Sequence, residues 1–220
     1  MNEIIEITWT VPQKKYELLM LQELLKNETI RRVVEIGTWK GCTALLWAKM
    51  VSKYPDGVVY CCDLSFDYGL FYGREHGTNM VRPYPKQFYA EFEYADHVKE
   101  LKGDSHDRVY IDKVKAEILN GGGLVDFMFI DGDHTYEGVK ADFINFNSLV
   151  KPGGYIAFHD IRDTAHHRNI GCNVAQFWNE LKLNNPSVRS WEFIDDNEYP
   201  GWVGDTIPSA CMGIGVVKAK

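Results

Sequence analysis

Two short clusters of acidic and histidine side chains follow apolar runs in the second half of the chain. Asp131 and His134 stand directly after one β-like run, and His159 and Asp160 stand at the end of the next. Carboxylate oxygens bind hard cations, while imidazole binds softer divalent ions or accepts a proton near neutral pH. These residue types predict a metal site or a general base. If the two runs are neighbouring parallel strands, Asp131 and Asp160 converge on one cation.

A glycine turn in the first quarter of the chain predicts a binding site for a nucleoside cofactor. A β-branched run leads into Glu35-Ile36-Gly37-Thr38-Trp39-Lys40-Gly41-Cys42-Thr43, and a helix-like stretch follows. The glycines permit a sharp turn and close approach of the backbone to a ligand. The first N–H groups of the helix are free to bind a negatively charged group. An acidic residue, Asp63, ends the next apolar run, where a carboxylate accepts hydrogen bonds from both ribose hydroxyls.

The glycine spacing separates this turn from a dinucleotide site. A dinucleotide fold has Gly-x-Gly-x-x-Gly after its first strand, whereas here Gly37 and Gly41 are separated by three residues. The turn therefore lacks the glycine pair for close pyrophosphate approach, which disfavours a nicotinamide oxidoreductase. Together with Asp63 and the later turn Gly103-Asp104-Ser105, it favours a different nucleoside cofactor.

The elements around these residues alternate between strand and helix, which predicts an α/β fold with a doubly wound, mostly parallel sheet. The two last strands have no helix between them and predict an antiparallel hairpin at the sheet edge. The predicted strands are Arg32–Ile36, Gly57–Asp63, Val98–Lys102, Val125–Ile130, Tyr155–Phe158, Ser190–Ile194 and Cys211–Val217. The predicted helices are 13–26, Thr43–Val51, Pro85–Tyr94, Asp107–Leu119, 136–146 and Val174–Leu183.

Three regions outside the strands carry separate predictions. In helix 13–26 the apolar spacing places Tyr16, Leu19, Met20 and Leu24 against the sheet. Residues 64–92 have no clean period and form either a surface loop or a substrate lid. The stretch 162–169 is predicted to be a solvated polar loop, including its histidine pair at 166–167.

Composition limits the classes of protein that fit. The chain has 220 residues and is predicted to be a single domain over 1–220, with a helical lead-in over about 1–30. A net charge of −7 disfavours nucleic acid as a partner. No apolar run is long enough for a membrane span, and the N-terminus lacks the layout of a signal peptide. Five cysteines without ligand spacing predict reduced thiols and a cytoplasmic location.

With these motifs in place, the chain resembles the class I S-adenosylmethionine-dependent methyltransferases over about Val33–Leu183. The most specific stretch is Val125-Asp126-Phe127-Met128-Phe129-Ile130-Asp131-Gly132-Asp133-His134-Thr135-Tyr136-Glu137-Gly138-Val139. Continued through Pro152-Gly153-Gly154 to His159-Asp160, it is similar to the branch of macrocin-type sugar O-methyltransferases and cephalosporin-biosynthesis relatives. The resemblance implies a Rossmann-like sheet of seven strands.

The resemblance also implies roles for individual residues of the cofactor site. Glu35, Gly37 and Gly41 would shape the methionine pocket, with Glu35 reaching the amino group directly or through water. Asp63 would hold the ribose, and Asp104 and Ser105 would lie by the adenine. The remaining cofactor-binding candidates belong to the turn and to the later acidic cluster, namely Thr38, Thr43 and Asp131.

For the chemistry, the resemblance implies O-methylation of a small hydroxylated acceptor, such as a sugar. Some members bind Mg²⁺ through aspartates at the positions of Asp131 and Asp160 and use a histidine at the position of His134 as base. This chain departs from the metal-binding pattern at His159, where an acidic residue is frequent and where imidazole favours softer divalent ions.

Two alternatives stay open. Without a metal, His134 or His159 acts alone as base with Asp131 beside it, or the chain binds the cofactor as a non-catalytic partner. The oligomeric state is also open, with the N-terminal helix and the edge hairpin as candidate contacts between copies.

Overall fold

The computed structural model describes residues 13–39, 41–64, 94–197, 199–200, 206–207 and 212–220. The predicted helix Pro85–Tyr94, except Tyr94 itself, and nearly all of the 64–92 segment lie outside the described residues. The same holds for residues 1–12 at the start of the predicted lead-in.

The described elements alternate between helix and strand along most of the chain. The α-helices are α1 Lys15–Leu25, α2 Cys42–Val51, α3 Arg108–Asn120, α4 Tyr136–Phe146, α5 Ala165–Asn169 and α6 Val174–Asn184. The strands are β1 Arg32–Ile36, β2 Val58–Asp63, β3 Val98–Lys102, β4 Val125–Ile130, β5 Val150–His159, β6 Ser190–Phe193, β7 Tyr199–Pro200, β8 Thr206–Ile207 and β9 Ile214–Lys218. Two short 3₁₀ helices, Ala95–His97 and Asn147–Leu149, precede β3 and β5.

Seven strands form one sheet in the order β3-β2-β1-β4-β5-β9-β6, and β7 pairs with β8 in a separate ribbon. Neighbouring strands from β3 to β5 run parallel, whereas β9 is antiparallel to both β5 and β6. This confirms the predicted fold class and the neighbouring positions of β4 and β5. The predicted hairpin is also present, with β9 inserted between β5 and β6 so that β6 forms the edge.

Helices cover both faces of the sheet, because successive strand residues alternate between two buried layers. On one face, α1 and α2 pack on side chains such as Val33, Phe127 and Phe129. On the other face, α3, α4 and α6 pack on Val34 and Met128 and their neighbours. The continuous apolar runs of the sequence therefore correspond to strands that are buried on both sides.

The predicted sheet-facing side of the first helix is correct for Leu24, which packs against the core, and wrong for Tyr16 and Met20. Tyr16 is 52% exposed and Met20 is 36% exposed, while Leu18, Leu21 and Leu25 are at most 1% exposed. The buried side also carries two polar residues, Lys14 just before the helix and Glu17 within it. Apolar spacing cannot predict the burial of polar residues. The prediction from spacing therefore placed a neighbouring stripe of the helix against the sheet.

Two further segments differ from the sequence-based prediction. Strand β5 begins at Val150, so Pro152 and the following glycines lie inside the strand rather than in a turn before it. The predicted polar loop 162–169 contains helix α5, capped by the Thr164 hydroxyl, which accepts from the His167 N–H. The predicted solvated character of the histidine pair is wrong for His167, which is 3% exposed.

None of the helices in the described part of the chain is long and apolar enough to cross a membrane.

Candidate functional site

A cavity of about 910 Å³ opens at the carboxyl ends of β1, β2, β4 and β5. The sheet order reverses between β1 and β4, and open α/β sheets bind ligands at this switch point. Small-molecule pockets span roughly 300–1,000 Å³, so the cavity has room for more than one ligand. Its described lining residues are Gln13, Ile36, Gly37, Thr38, Trp39, Thr43, Cys62, Asp63, Leu64, Gly103, Asp104, Ser105, His106, Asp131, Gly132, Asp133, His134, His159, Asp160, His166, His167, Ile170 and Met212.

The glycine turn after β1 joins the ends of three strands at one edge of this cavity. Gly37 N–H donates to Cys62 O at 2.9 Å, and Asp131 N–H donates to Ile36 O at 2.8 Å. Gly37 has φ +84°, and a Cβ built on it would lie 2.2 Å from Asp131 O. Only glycine fits here, because any side chain would push β1 away from the acidic end of β4.

Behind the turn, Glu35 is buried against α2 rather than exposed in the cavity. It is 0% exposed, and Trp47 Nε1 donates to its Oε1 at 2.9 Å. Burial raises the pKa of Glu35 to about 8, although hydrogen bonds from Thr43, Trp47 and Thr38 work against that shift. At neutral pH the carboxyl is therefore mostly protonated in this state.

Two acidic turns organise the end of the cavity next to β2 and β3. Asp63 Oδ2 accepts from Trp39 N–H at 2.6 Å, which ties the glycine turn to the end of β2. Asp104 Oδ1 accepts from His106 N–H at 2.8 Å, and Asn145 Nδ2 donates to Ser105 O at 3.0 Å. Asp63 and the turn after β3 thus border the same side of the cavity.

A buried carboxyl group beside a partly exposed histidine lies behind this end, and no motif in the sequence indicates it. His106 Nε2 lies 3.2 Å from Asp142 Oδ1, and Asp142 is 0% exposed. Burial raises the pKa of Asp142 to about 6, while the nearby His106 lowers it. The sequence predicts that Asp142 lies on the helix 136–146. That Asp142 faces the turn at 103–106 is visible only in the folded structure.

At the other end of the cavity, two carboxylates and two imidazoles form one cluster. His159 Nδ1 lies 3.1 Å from Asp131 Oδ1 and 3.3 Å from Asp160 Oδ2. His134 Nε2 lies 3.4 Å from Asp131 Oδ1, and its Nδ1 lies 3.4 Å from Asp160 Oδ2. The His134 side chain is 43% exposed toward the cavity, whereas that of His159 is 5% exposed. His134 is thus the accessible imidazole and His159 the enclosed one.

Charge controls the protonation of this cluster. The hydrogen bond to Asp131 raises the pKa of His134 to about 9, with the charge of Asp160 adding to it and burial opposing it. Burial disfavours the charged form of His159, but Asp131 and Asp160 outweigh it and raise the pKa of His159 well above its usual value. Burial alone would favour a neutral Asp160, yet the imidazoles hold the pKa of Asp160 well below its usual range.

Two residues that the sequence analysis did not assign to the site complete it. Gln13 Nε2 donates to Asp131 Oδ2 at 2.6 Å, and His167 Nε2 lies 3.4 Å from Asp160 Oδ1. The His167 ring is oriented by the carbonyl of Arg162, 2.6 Å from Nδ1. Gln13 precedes the first helix and has no local signal of function, so long-range packing alone reveals it.

The structure brings most of the sequence-predicted residues together in one cavity. The cofactor candidates Gly37, Thr38, Thr43, Asp63, Asp104, Ser105 and Asp131 line it, and so do His134, His159 and Asp160. Gly41 begins α2 with φ 75°, a left-handed conformation suited to glycine, and lies outside the described lining together with Glu35. The ligand-binding and catalytic roles of these residues stay predictions.

The strand order and a cavity at the carboxyl ends of the strands are the arrangement expected of a class I S-adenosylmethionine-dependent methyltransferase domain. A family model described as a methyltransferase domain matches residues 34–161, which is more than half of the chain. The chain belongs to this family.

Solved methyltransferases share the fold at low sequence identity. The O-methyltransferase TomG of Streptomyces achromogenes, in complex with S-adenosylmethionine, has a TM-score of 0.61 at 18% identity over 94% of this chain and 79% of its own. An O-methyltransferase of Bacillus cereus, in complex with S-adenosylhomocysteine, has a TM-score of 0.60 at 18% identity over 100% and 90%. The N-methyltransferase NodS of Bradyrhizobium japonicum has a TM-score of 0.54 at 13% identity over 92% and 85%. At these identities the likeness establishes the fold.

The curated relatives are longer proteins of uncharacterized function. An uncharacterized protein of Acanthamoeba polyphaga mimivirus is 37% identical over 114 residues, which are 52% of this chain and 49% of that protein. An uncharacterized protein of Sinorhizobium fredii is 29% identical over 166 residues, which are 72% of this chain and 16% of that protein. The chain thus spans half or less of the length of these relatives.

Proposed function

We propose that this domain transfers a methyl group from S-adenosylmethionine to a hydroxyl group of a small molecule, with His134 receiving the proton. The observation that carries this proposal is the continuity of the cavity. One space connects Asp63 and the turn after β3 with the cluster around Asp131 and His134. A nucleoside cofactor at the first end and an acceptor at the second would meet between them.

Each end of the cavity has a separate task in this reaction. Asp63 and the Gly103–Ser105 turn hold the nucleoside, and the glycine turn with the start of α2 holds the methionine part. Methyl transfer forms a bond from the acceptor oxygen to the methyl carbon and breaks the bond from that carbon to sulfur. The acceptor hydroxyl loses its proton, so a proton acceptor within reach of the acceptor accelerates the step.

His134 is the group best placed to take that proton, because its ring is the accessible imidazole of the cluster. With a pKa of about 9, it reaches its basic form when positive charge from another source offsets the two aspartates. The sulfonium of the cofactor carries such a charge.

The residues present also fit a divalent metal. Asp131, His159 and Asp160 each offer one ligand atom, and these atoms all lie within 4.8 Å of one another. A metal ion at this position would act as a Lewis acid that lowers the pKa of a bound hydroxyl. The acceptor class follows from the resemblance of the Val125–Asp160 stretch to sugar O-methyltransferases, which makes a sugar or a glycosylated natural product the first acceptors to test.

Cofactor binding is the first test. Isothermal titration of the purified protein with S-adenosylhomocysteine is expected to show one site per chain. The variant Asp63→Asn should weaken binding roughly 10–100-fold, since a hydrogen bond to a charged acceptor contributes about 1.5–3 kcal/mol. The control Asp112→Asn, which alters an exposed ion pair with Arg108, should bind as the unaltered protein does. Absence of binding by the unaltered protein would refute the proposal.

Methyl transfer is the second test. The protein is incubated with methyl-labelled S-adenosylmethionine and a panel of sugars, glycosides and phenols. Label transferred by the unaltered protein but strongly reduced in His134→Ala supports the proposed role of the base. Cofactor binding unchanged in His134→Ala, with no transfer by either protein to any acceptor or cell extract, would instead identify a non-catalytic cofactor-binding partner.

A further inference from the structure

Three side chains from two strand ends bring their ligand atoms to one point beneath the reaction cavity. Asp131, His159 and Asp160 each offer one ligand atom, and these three atoms all lie within 4.8 Å of one another. The closest pairs join His159 Nδ1 to Asp131 Oδ1 and to Asp160 Oδ2. The nitrogen is 3.1 Å from the first oxygen and 3.3 Å from the second. Ligand atoms about 2.1 Å from a common ion lie about 3.0 Å apart at right angles and about 3.4 Å apart at the tetrahedral angle. The two measured separations fall in that interval.

The polar groups that approach the enclosed imidazole among the described residues are the carboxylates of Asp131 and Asp160. His159 is 4% exposed, and neither of its ring nitrogens has a hydrogen-bond partner among the described residues. Its Nδ1 approaches both carboxylates without the alignment of a hydrogen bond. A buried polar atom without a partner costs free energy, and coordination to an ion would satisfy it.

In each carboxylate one oxygen faces this point and the other oxygen faces a different residue. Asp131 Oδ2 accepts from Gln13 Nε2 at 2.6 Å, and Asp160 Oδ1 faces His167 Nε2 at 3.4 Å. Asp160 also has φ 60°, a left-handed conformation that is costly for a residue other than glycine. Outer-sphere partners of this kind orient the ligands of metal sites.

We propose that Asp131, His159 and Asp160 bind one first-row transition-metal dication in preference to Mg²⁺. The proposal deepens the proposed methyl transfer, since it concerns the same cavity. Mg²⁺ requires oxygen ligands and an almost ideal octahedron, whereas imidazole suits Zn²⁺, Fe²⁺, Co²⁺ and Ni²⁺. One nitrogen and two carboxylate oxygens form a mixed donor set, and the side facing the cavity leaves coordination positions for water or acceptor.

The competing explanation is that His159 itself replaces the metal. A protonated imidazole between two carboxylates would neutralise one of their charges and form a buried ion-pair network. In that case the protein binds no divalent ion at this position, and removal of His159 leaves two unpaired carboxylates. The two explanations therefore make opposite predictions for metal binding.

The experiment uses the full chain, stripped of metals with a chelator, and Co²⁺ as the probe. Titration by calorimetry and by visible absorption should show one Co²⁺ per chain, with a ligand-field spectrum that excess Mg²⁺ does not remove. His159→Ala should weaken Co²⁺ binding by more than the roughly 10–100-fold that outer-sphere changes cost. His159→Glu should restore an all-oxygen set and bring the affinities for Mg²⁺ and Co²⁺ closer together. His166→Ala, which removes an exposed imidazole from the same cavity, should change neither.

The thermal unfolding of each variant and its binding of S-adenosylhomocysteine verify that it is folded. Co²⁺ binding that is absent, equally strong in His159→Ala, or displaced by Mg²⁺ at comparable concentration would overturn the proposal. The metal measurements do not depend on methyl transfer. Specific Co²⁺ binding without cofactor binding would contradict the proposed function alone, and cofactor-dependent methyl transfer without Co²⁺ binding would contradict this inference alone.

Discussion

Glu35 is an acidic side chain whose ionisation is set mainly by burial. It lies at the end of β1, fully enclosed, with Trp47 as a hydrogen-bond donor. The pKa of Glu35 rises to about 8 in the folded protein, from 4.5 for the solvated group. Between pH 4.5 and about 8 the Glu35 carboxyl is ionised in the unfolded chain but protonated in the folded chain. Stability associated with Glu35 is therefore fully present below about pH 4.5 and is lost as pH rises to about 8.

Replacing Glu35 with glutamine should remove this pH dependence. Gln retains an acceptor for Trp47 but does not titrate, so Glu35→Gln should gain stability relative to the unaltered protein between pH 5 and 8. The difference should grow by up to about 1.4 kcal/mol per pH unit. Urea unfolding at several pH values measures it.

Glu180→Gln provides a control with the opposite sign. The pKa of Glu180 is lowered by its hydrogen bonds with Tyr136 and Lys140. The stability that the ionised Glu180 carboxylate contributes is lost only as pH falls through the pKa range of carboxyl groups. Between pH 5 and 8 the unfolding free energy of Glu180→Gln should therefore differ from that of the unaltered protein by a constant amount. A constant difference for Glu35→Gln as well would contradict the assigned pKa.

Gln13 is a second residue whose role follows from one contact. Its amide donates to Asp131 Oδ2, the oxygen turned away from the ligand point. Gln13→Ala should therefore weaken Co²⁺ binding roughly 10–100-fold, as loss of an outer-sphere partner does in other metal sites. Calorimetry measures the change, with Gln176→Ala on the exposed side of α6 as the matched control. Unchanged affinity in Gln13→Ala would show that Asp131 is oriented without this amide.

At the scale of elements, the ends of β1 and β4 are held together at a contact that only glycine permits. In Gly37→Ala the new Cβ would lie 2.2 Å from Asp131 O, in addition to the cost of φ +84°. Gly171→Ala is a matched control, because Gly171 has φ +77° and nothing within 4 Å of its ideal Cβ.

The control isolates the clash from the backbone cost. Gly171→Ala should lose about 1–2 kcal/mol of unfolding free energy, and Gly37→Ala should lose more and also bind S-adenosylhomocysteine more weakly. If both variants lose the same unfolding free energy and both still bind S-adenosylhomocysteine normally, the close contact between Gly37 and Asp131 would not be needed for stability or for binding. Chemical denaturation and calorimetry supply both measurements.

The sequence predicted those elements whose determinants are local. Asp131 and Asp160 were placed correctly because each follows a run of strand residues, and parallel neighbours end at one edge. The predicted helix 136–146 is also present, and the Thr135 hydroxyl caps it by accepting from Gly138 N–H at 3.0 Å. Such signals need only a few consecutive residues.

The remaining features depend on contacts between distant parts of the chain. The burial of His167 arises from packing against Asp160 and Met212, and neither contact has a sequence signal. In α1 the apolar spacing allowed two stripes, and the buried one contains Leu18, Leu21 and Leu25 rather than Tyr16 and Met20. The predicted fifth strand began at Tyr155, yet β5 begins at Val150 and continues through Pro152. Local patterns cannot decide these cases because the deciding partner is elsewhere.

At the scale of the whole molecule, the start of the N-terminal helix connects the core to the wall of the cavity. Lys14 Nζ donates to the carbonyls of Asp195 and Asn197, at 2.5 and 3.1 Å. Glu17 accepts from Asp195 N–H and from Gly213 N–H, both at 3.0 Å. Gln13, four residues before Glu17, donates its side-chain amide to Asp131 Oδ2. A single stretch of five residues thus holds two late loops and one carboxylate of the cavity in place.

This arrangement predicts that loss of one buried carboxylate loosens two distant loops together. Glu17→Ala removes the carboxylate that accepts from the N–H groups of Asp195 and Gly213, and each lost buried hydrogen bond costs about 1–3 kcal/mol. Unfolding free energy should fall by roughly 2–6 kcal/mol by this count, and the amide protons of Asp195 and Gly213 should exchange with solvent faster than in the unaltered protein. Urea unfolding and hydrogen exchange measure the two effects.

Glu23→Ala on the exposed side of the same helix is the control, because that side chain is 68% exposed. Its unfolding free energy should stay within about 0.5 kcal/mol of that of the unaltered protein. Protection that persists at both amides in Glu17→Ala would mean that the loops are held by other contacts.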